Sequence, residues 1–432
     1  MTSARRRFLL AFALLLVAGL LVRLPFLPRL GHAYDQESYL VWMGAIQDYS
    51  LAEVFDRTNT DYVGYHYILW ALGIASGEDA SQATARDKGL RIWLKVPGLL
   101  GDLLTASTII FITRSLIAVR SKAGGLNIAG GRIDRIAARL RLLPADAIAL
   151  AAGALFLLHP AVIYAGSYWG QQDSLVTFFM LLSYWLAWQQ RPGWAGVALA
   201  IGTIVKPQPL VLGPLLAWIV WRRSSWPGLL RGGLAGAVML VVGHFYFVLT
   251  GSGERIFEIY TFQITQTEHL SFGAYNLWWP FEHFAGARPD TAVLLVGAAT
   301  LTFGTLATAL VVVLLAASVY AARRGGVVQA MVAAGAWLAA YYLVAAGSHE
   351  RYALPALAFL LAIVPLATWL RWPLLIYSTA LFGNLIIALP LDRRWPQGDP
   401  VWLSLVVSGA MVVSVVWIVM VAIRGATDPS PR

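Results

Sequence analysis

Hydrophobic positions along this chain fall in long unbroken runs set apart by polar loops, with no two-residue alternation. Such runs predict helices at about residues 8–27, 92–118, 145–164, 172–190, 193–205, 208–221, 232–250, 291–320, 327–346, 353–370, 373–391 and 401–423. Most approach the roughly 20 residues that carry a helix across ~30 Å of hydrocarbon. Backbone groups in lipid must be satisfied internally, and continuous runs select helices over a barrel. The expected fold is an all-α polytopic membrane protein, one domain over residues 1–432 with about 12 transmembrane helices. The first run follows Arg5-Arg6-Arg7 but is too long for a signal-peptide core. No small-residue cleavage site precedes Pro25 and Pro28, so it is expected to be a retained span.

Two runs, 193–205 and 208–221, are short and separated only by Lys206-Pro207. They form either a hairpin of two short helices or one kinked span, and charge decides between them. With a hairpin, Arg222, Arg223, Arg231, Arg323, Arg324, Arg371 and Arg424 all face the cytoplasm. The loop 251–290, with Glu254, Glu258, Glu268, Glu282 and Asp290, then faces out. A single span reverses those signs, against the positive-inside bias. Pro207 and Pro209 remove two donors and push their predecessors out of helical geometry. The apex is therefore expected to be unwound and recessed below the outer surface, where irregular backbone survives only beside protein or a watery cavity.

This topology sorts the charges. Of 22 acidic residues, 18 fall on the outer side; the exceptions are Asp102, Asp134, Asp146 and Asp428. Five of the seven histidines (His32, His66, His269, His283 and His349) share that side, and His159 lies close to it. The first outer loop, 28–88, carries nine acids. It places Tyr39, Trp42, Met43, Ile46 and Tyr49 at helical spacing, the pattern of an interfacial amphipathic helix. A second aromatic stretch, Tyr62 to Trp70, is expected to be helical at the surface as well. The basic loop 119–143 (Arg120, Lys122, Arg132, Arg135, Arg139, Arg141) surrounds a Gly-rich patch, Ala123 to Gly131. It reads as a topogenic or anionic-lipid contact.

Composition adds exclusions. Hydrophobic residues make up 59% and charged residues 12%, half the usual charged share of a soluble domain. The net charge of +10 follows from the cytoplasmic arginines; no basic stripe interleaved with aromatics suggests a nucleic-acid partner. With no cysteine, disulfides and thiolate chemistry are excluded. Oligomeric state is left open.

The candidate chemistry gathers at the outer rim. Asp35, in Tyr34-Asp35-Gln36-Glu37-Ser38-Tyr39, follows the first span by a few residues and is fixed near the water–lipid boundary. The alternative is a helix N-cap. Tyr168-Trp169-Gly170-Gln171-Gln172-Asp173-Ser174 tips an outer turn, with an indole for stacking and a polar cluster suited to sugar hydroxyls. Here too Asp173 can simply start the next helix. Lys206 is a recessed cation, and intramembrane charge points to function. An anionic phosphate would satisfy it, or a structural network with Lys95 and Asp102, seven residues apart on one helix face. Gly347-Ser348-His349-Glu350-Arg351-Tyr352 sets a guanidinium able to fork onto phosphate beside an imidazole and a phenol. Tyr275-Asn276-Leu277-Trp278-Trp279 reads as a carbohydrate-stacking or interfacial segment. No metal-ligand spacing stands out, so the sequence names no definite cofactor; a divalent cation, magnesium or manganese, stays open.

Taken in order, these elements resemble the bacterial GT-C membrane glycosyltransferases related to the eukaryotic enzyme adding the second mannose of the GPI anchor. The resemblance runs from Asp35 to Pro355. It rests on Asp35, Tyr62-Val63-Gly64-Tyr65, Lys95-Val96-Pro97 with Asp102, Trp169 to Ser174, Lys206-Pro207-Gln208, Asn276 to Trp279, and His349 to Tyr352 with Pro355. Val63 stands where proline is usual, and Gly347-Ser348 precedes His349 where methionine is commoner. The resemblance implies a GT-C-like bundle, with amphipathic helices in the first outer loop. It also implies a bacterial-type inner membrane, a cytoplasmic N-terminus and an extracytoplasmic site. The donor it implies is a sugar on polyprenyl phosphate, mannose favoured, transferred with inversion to a glycolipid, glycan or protein acceptor.

Asp35 is then the expected catalytic base. Lys206, Arg351, His349 and Tyr352 are expected at the donor phosphate. Asp173, Gln171, Gln172, Trp169, Glu37 and Asn276 are expected at the donor or acceptor sugar. A flippase or transporter of a lipid-linked sugar is the competing reading, but it favours midplane charges and repeated halves. A glycan polymerase or ligase is a third.

Overall fold

The computed structural model describes residues 3–60, 62–84, 87–122, 143–265, 268–296, 299–323, 325–389 and 401–425. Most of the basic loop 119–143, with its Gly-rich patch, and Arg324 lie outside the described residues.

The body is helical. A first helix, α1 (Ser3–Arg23), leads to α2 (Ala33–Asp48), the single turn α3 (Val54–Arg57) and α4 (Tyr65–Ser76). The long α5 (Lys88–Lys122) follows, then α6 (Pro144–Leu157) and the turn α7 (Pro160–Ile163), which runs on as a π-helical turn over Tyr164–Trp169. Next come α8 (Asp173–Trp188), α9 (Pro192–Val205), α10 (Gly213–Leu249) and α11 (Gly253–Thr265). Strand β1 (Ser271–Phe272), helix α12 (Trp279–Ala285) and the hairpin β2 (Ala292–Val296) and β3 (Ala299–Thr302) precede α13 (Phe303–Ala322) and α14 (Val327–Val344). Strand β4 (Ser348–His349) and a 3₁₀ turn at Glu350–Ala353 open α15 (Leu354–Ile363), followed by α16 (Arg371–Ala388) and α17 (Val401–Gly425).

Among the described residues, 6 helices are long and apolar enough to cross a membrane, or up to 7 if the pair bent by 49° at His159-Pro160 counts as one span. The protein is a multi-pass membrane protein. The expected spans 172–190 and 193–205 fall on shorter apolar helices, Asp173–Trp188 and Pro192–Val205. Proline explains several of the breaks. The run 353–370 ends its helix at Ile363 because Pro365 has no N–H to continue the ladder.

The expected span 291–320 is corrected at its start. Its first residues form the β2–β3 hairpin, where valines and threonines favour extended chain. A capping box between Thr302 and Thr305 then begins α13 at Phe303.

The helix α10 doubles back, as the hairpin topology requires. Ser225 takes φ 58°, a left-handed conformation inside the helix. On its near side, Arg223 donates to the Trp188 carbonyl, close to the Pro192 end of α9. Beyond the kink, Gly232 still faces Pro192, whereas Gly243 has returned to Ile204. Arg222, Arg223 and Arg231 thus share the end of the bundle opposite Lys206. Both arms and α9 line one apolar cavity of about 270 Å³.

The first-loop helices are more deeply placed than an interfacial pair. Tyr39, Trp42, Met43 and Ile46 of α2 are buried, leaving only Tyr49 exposed among the five apolar positions. Their partners are protein, not lipid: Tyr39 packs on Tyr65, and Trp42 on His66, both from α4.

Beneath these helices α5 meets the start of α8 without intervening side chains. A Cβ on Gly101 would lie 2.2 Å from the Leu175 nitrogen, and Thr105 Oγ1 donates to the Ser174 carbonyl at 2.8 Å. Asp102 accepts from Arg23 Nε at 2.9 Å, with both side chains at 0% exposure, which pins α1 to α5. Breaking one partner of such a buried pair costs about 3–5 kcal/mol, whereas replacing both by apolar groups is close to neutral. Arg23→Leu is therefore expected to lower the melting temperature in detergent sharply. The double variant Arg23→Leu/Asp102→Leu should recover most of that loss.

Candidate active site

Four segments distant in sequence meet at one place: the N-terminus of α2, the turn at 169–174, the Lys206 apex and the corner 348–353. Each is held by a local rule. His32 caps α2, its Nδ1 accepting from the Asp35 backbone N–H at 3.4 Å, so Asp35 sits in the first turn. The π-helical turn ends at Gly170, whose φ of 94° suits glycine. A Cβ there would also lie 2.5 Å from Gln36 Nε2, which donates to the Trp169 carbonyl. Lys206 closes α9 in extended conformation just before Pro207, as the residue preceding a proline should. Strand β4 pairs in parallel with β1, bringing the His349 ring onto Phe272 at 5.0 Å and 13°.

Side chains knit these segments together. Asp35 Oδ2 accepts from Trp169 Nε1 at 2.7 Å and from Gln171 Nε2 at 2.5 Å. The face of the same indole carries the Arg351 guanidinium, 5.5 Å from the ring centroid. Asp173 bridges two cations, Lys206 Nζ at 2.7 Å and Arg351 Nε at 3.3 Å. Arg351 also pairs with Glu350 at 2.6 Å. Lys206 lies over the Tyr352 ring at 5.0 Å, and Tyr39 donates to Gln172 at 3.2 Å. Asp35, Trp169, Gln171, Gln172, Asp173, Lys206, His349, Arg351 and Tyr352 thus form one connected cluster.

The electrostatics divide the carboxyls. Burial alone pushes Asp35 up, but its hydrogen bond with His32, the Arg351 and His32 charges and the Trp169 N–H outweigh that and hold it down at about 2. Burial pushes the Glu350 carboxyl up despite the Arg351 charge beside it. The site therefore holds one carboxyl below its ordinary range and another above it.

Several expectations are corrected. Lys95, Asp102 and Lys206 form no network. Lys95 lies about two helical turns, ~10.5 Å, from Asp102. It donates instead to the Phe26 and Arg29 carbonyls at 3.1 and 2.7 Å, just beyond the end of α1 where such groups lack partners. Arg23 takes Asp102, and Asp173 takes Lys206, so the recessed lysine is already paired.

Asn276 is fully buried away from the cluster, accepting from Trp278 N at 3.0 Å and donating to the Tyr342 carbonyl. It shapes a turn, as its short amide does well. Glu37 is exposed, two positions along α2 from Asp35 and hence on another face. The sequence assigns no role to His32, Gln36 and Arg23, whose signals are slight: a cap three residues before Asp35, an amide beside it, and a basic residue closing an apolar run. Among the described residues no group of three or more His, Asp or Glu is placed to hold a metal ion.

The all-α multi-pass membrane body is that expected of a GT-C-type membrane glycosyltransferase. Residues 103–345 match the model of Glycosyltransferase family 87, and the chain belongs to that family. The matched range contains Trp169 to Asp173 and Lys206 but neither Asp35 nor the 348–353 corner. A search of the curated proteins finds no match.

A carboxyl depressed from 3.8 to about 2 contributes stability that is present above about pH 4 and lost as pH falls toward 2, about 2 kcal/mol in all. The stability advantage of wild type over Asp35→Asn is therefore expected to shrink as pH falls below about 4. Thermal unfolding in nanodiscs across that range checks it.

Proposed function

We propose that this glycosyltransferase moves a hexose, mannose favoured, from a polyprenyl-phosphate donor to a lipid, glycan or protein acceptor at the extracytoplasmic face of a bacterial-type cell membrane, with inversion. The observation that carries this reading is the single indole of Trp169, whose edge holds the Asp35 carboxylate and whose face holds Arg351. A base at its edge and a cation over its face are thereby held by one side chain, beside which a sugar ring can rest.

The chemistry follows from the charges. An acceptor hydroxyl is weakly nucleophilic until a carboxylate takes its proton, the role proposed for Asp35. Attack opposite the phosphate breaks the anomeric C–O bond through an oxocarbenium-like state. Glycosidases need a second carboxylic acid to protonate the leaving oxygen. A phosphate leaves as an anion and needs fixed positive charge instead. Lys206 and Arg351 supply that charge, with His349 and Tyr352 beside them. Since Asp173 already matches both cations, the donor phosphate competes with it or gains from protonation of Glu350. Trp169, Gln171, Gln172 and Asp173 then orient the sugar hydroxyls.

The test is a panel of radiolabelled polyprenyl-phosphate sugars given to membranes containing the protein. Wild type should release free polyprenyl phosphate and form a product of inverted anomeric configuration with at least one of them. Asp35→Asn should lower kcat about 10²- to 10⁴-fold with folding intact. Undiminished turnover removes Asp35 from the role, and translocation without release of polyprenyl phosphate favours a transporter.

A further inference from the structure

We infer that His32 is the proton relay of the site, receiving the acceptor's proton from Asp35 and passing it to water. This rests on the transferase reading above and adds a residue that neither the family match nor the motifs contain.

The geometry assigns separate tasks to the two carboxylate oxygens. Oδ2 is taken up by two donors, Trp169 Nε1 and Gln171 Nε2. The oxygen left to take a proton is Oδ1, and His32 Nδ1 lies 3.3 Å from it. The same nitrogen also receives the Asp35 backbone N–H at 3.4 Å. A neutral ring can thus turn its Nδ1 lone pair toward the backbone, and a protonated ring can turn N–H toward Oδ1. One nitrogen serves both states with little movement.

The ring is held and vented as a relay requires. It packs on Trp169 at 5.4 Å and 34°. Its side chain is 37% exposed, against 19% for Asp35, so Nε2 can exchange with solvent. The other titratable groups around the carboxylate do not compete. Arg351 is permanently charged, Tyr39 donates to Gln172, and Tyr65 is fully buried. His349 stacks on Phe272 and meets Tyr352 at a tilt of 59°.

The step balances. The acceptor oxygen bonds to the anomeric carbon as the carbon–phosphate oxygen bond breaks, and that electron pair leaves with the phosphate. The hydroxyl proton moves to Oδ1, then to Nδ1, and the imidazolium loses its Nε2 proton to water. One proton is released per transfer.

His32→Asn keeps a capping side chain without the basic nitrogen. In proteoliposomes supplied with a polyprenyl-phosphate sugar that wild type uses, it should lower kcat ten- to a hundredfold at pH 7 and leave the donor KM within twofold. The acid limb of its kcat–pH profile should move down by at least one unit, since only Asp35 then controls it. Added imidazole should restore at least tenfold in His32→Ala, but not in Asp35→Asn. An unmoved acid limb with no imidazole rescue reduces His32 to a helix cap and overturns the inference, while leaving the transferase reading intact. A wild type that releases no polyprenyl phosphate overturns both.

Discussion

The site depends on one constraint: charges withdrawn from water must be matched at close range. Lys206 and Asp173 are almost completely buried and 2.7 Å apart, and Arg351 reaches the second Asp173 oxygen. Stripping such ions of water costs several kcal/mol each, repaid only by good geometry. The carboxylate of Asp173 is therefore a fastening between α8, the end of α9 and the corner that opens α15. Once that fastening is made, the proline-broken apex and the 348–353 turn have a fixed relation to Trp169, and through its N–H to Asp35. The arrangement of the candidate site grows from the solution to a solvation problem.

The same rule explains why the fold was easier to read than the contacts. Runs of apolar residues, the Lys206-Pro207 break and the arginine bias follow from the bilayer alone, so the helical body and the doubled-back α10 were legible. Asp35, Trp169 to Asp173, Lys206 and His349 to Tyr352 were also legible as one rim, because polar groups there have few other reasons to exist. Partner choice was not. Lys95 and Asp102 share a helix face, yet Lys95 meets the carbonyls of the chain leaving α1 and Asp102 meets Arg23. Which partner wins is decided by where α1 ends against α5, a tertiary fact with no local signature. Asn276 shows the converse error, since its aromatic neighbours suggested a sugar platform while its amide is spent on a buried turn.

The glycines and the π-helical turn show how the rim is brought into register. Side chains between α5 and α8 would hold the turn at 169–174 away from the end of α1. Their absence lets Thr105 bond directly to the Ser174 carbonyl and brings Gly170 against Gln36. The wider turn at 164–169 then aims the indole across the gap at Asp35.

One further consequence comes from α9. At 14 residues it reaches only ~21 Å, well short of ~30 Å of hydrocarbon. A bilayer meeting so short a wall relieves the hydrophobic mismatch by thinning, its headgroups sinking toward the protein. Headgroups drawn into that depression come nearer to the depth of the Lys206–Asp173 pair than they do around the longer helices of the bundle.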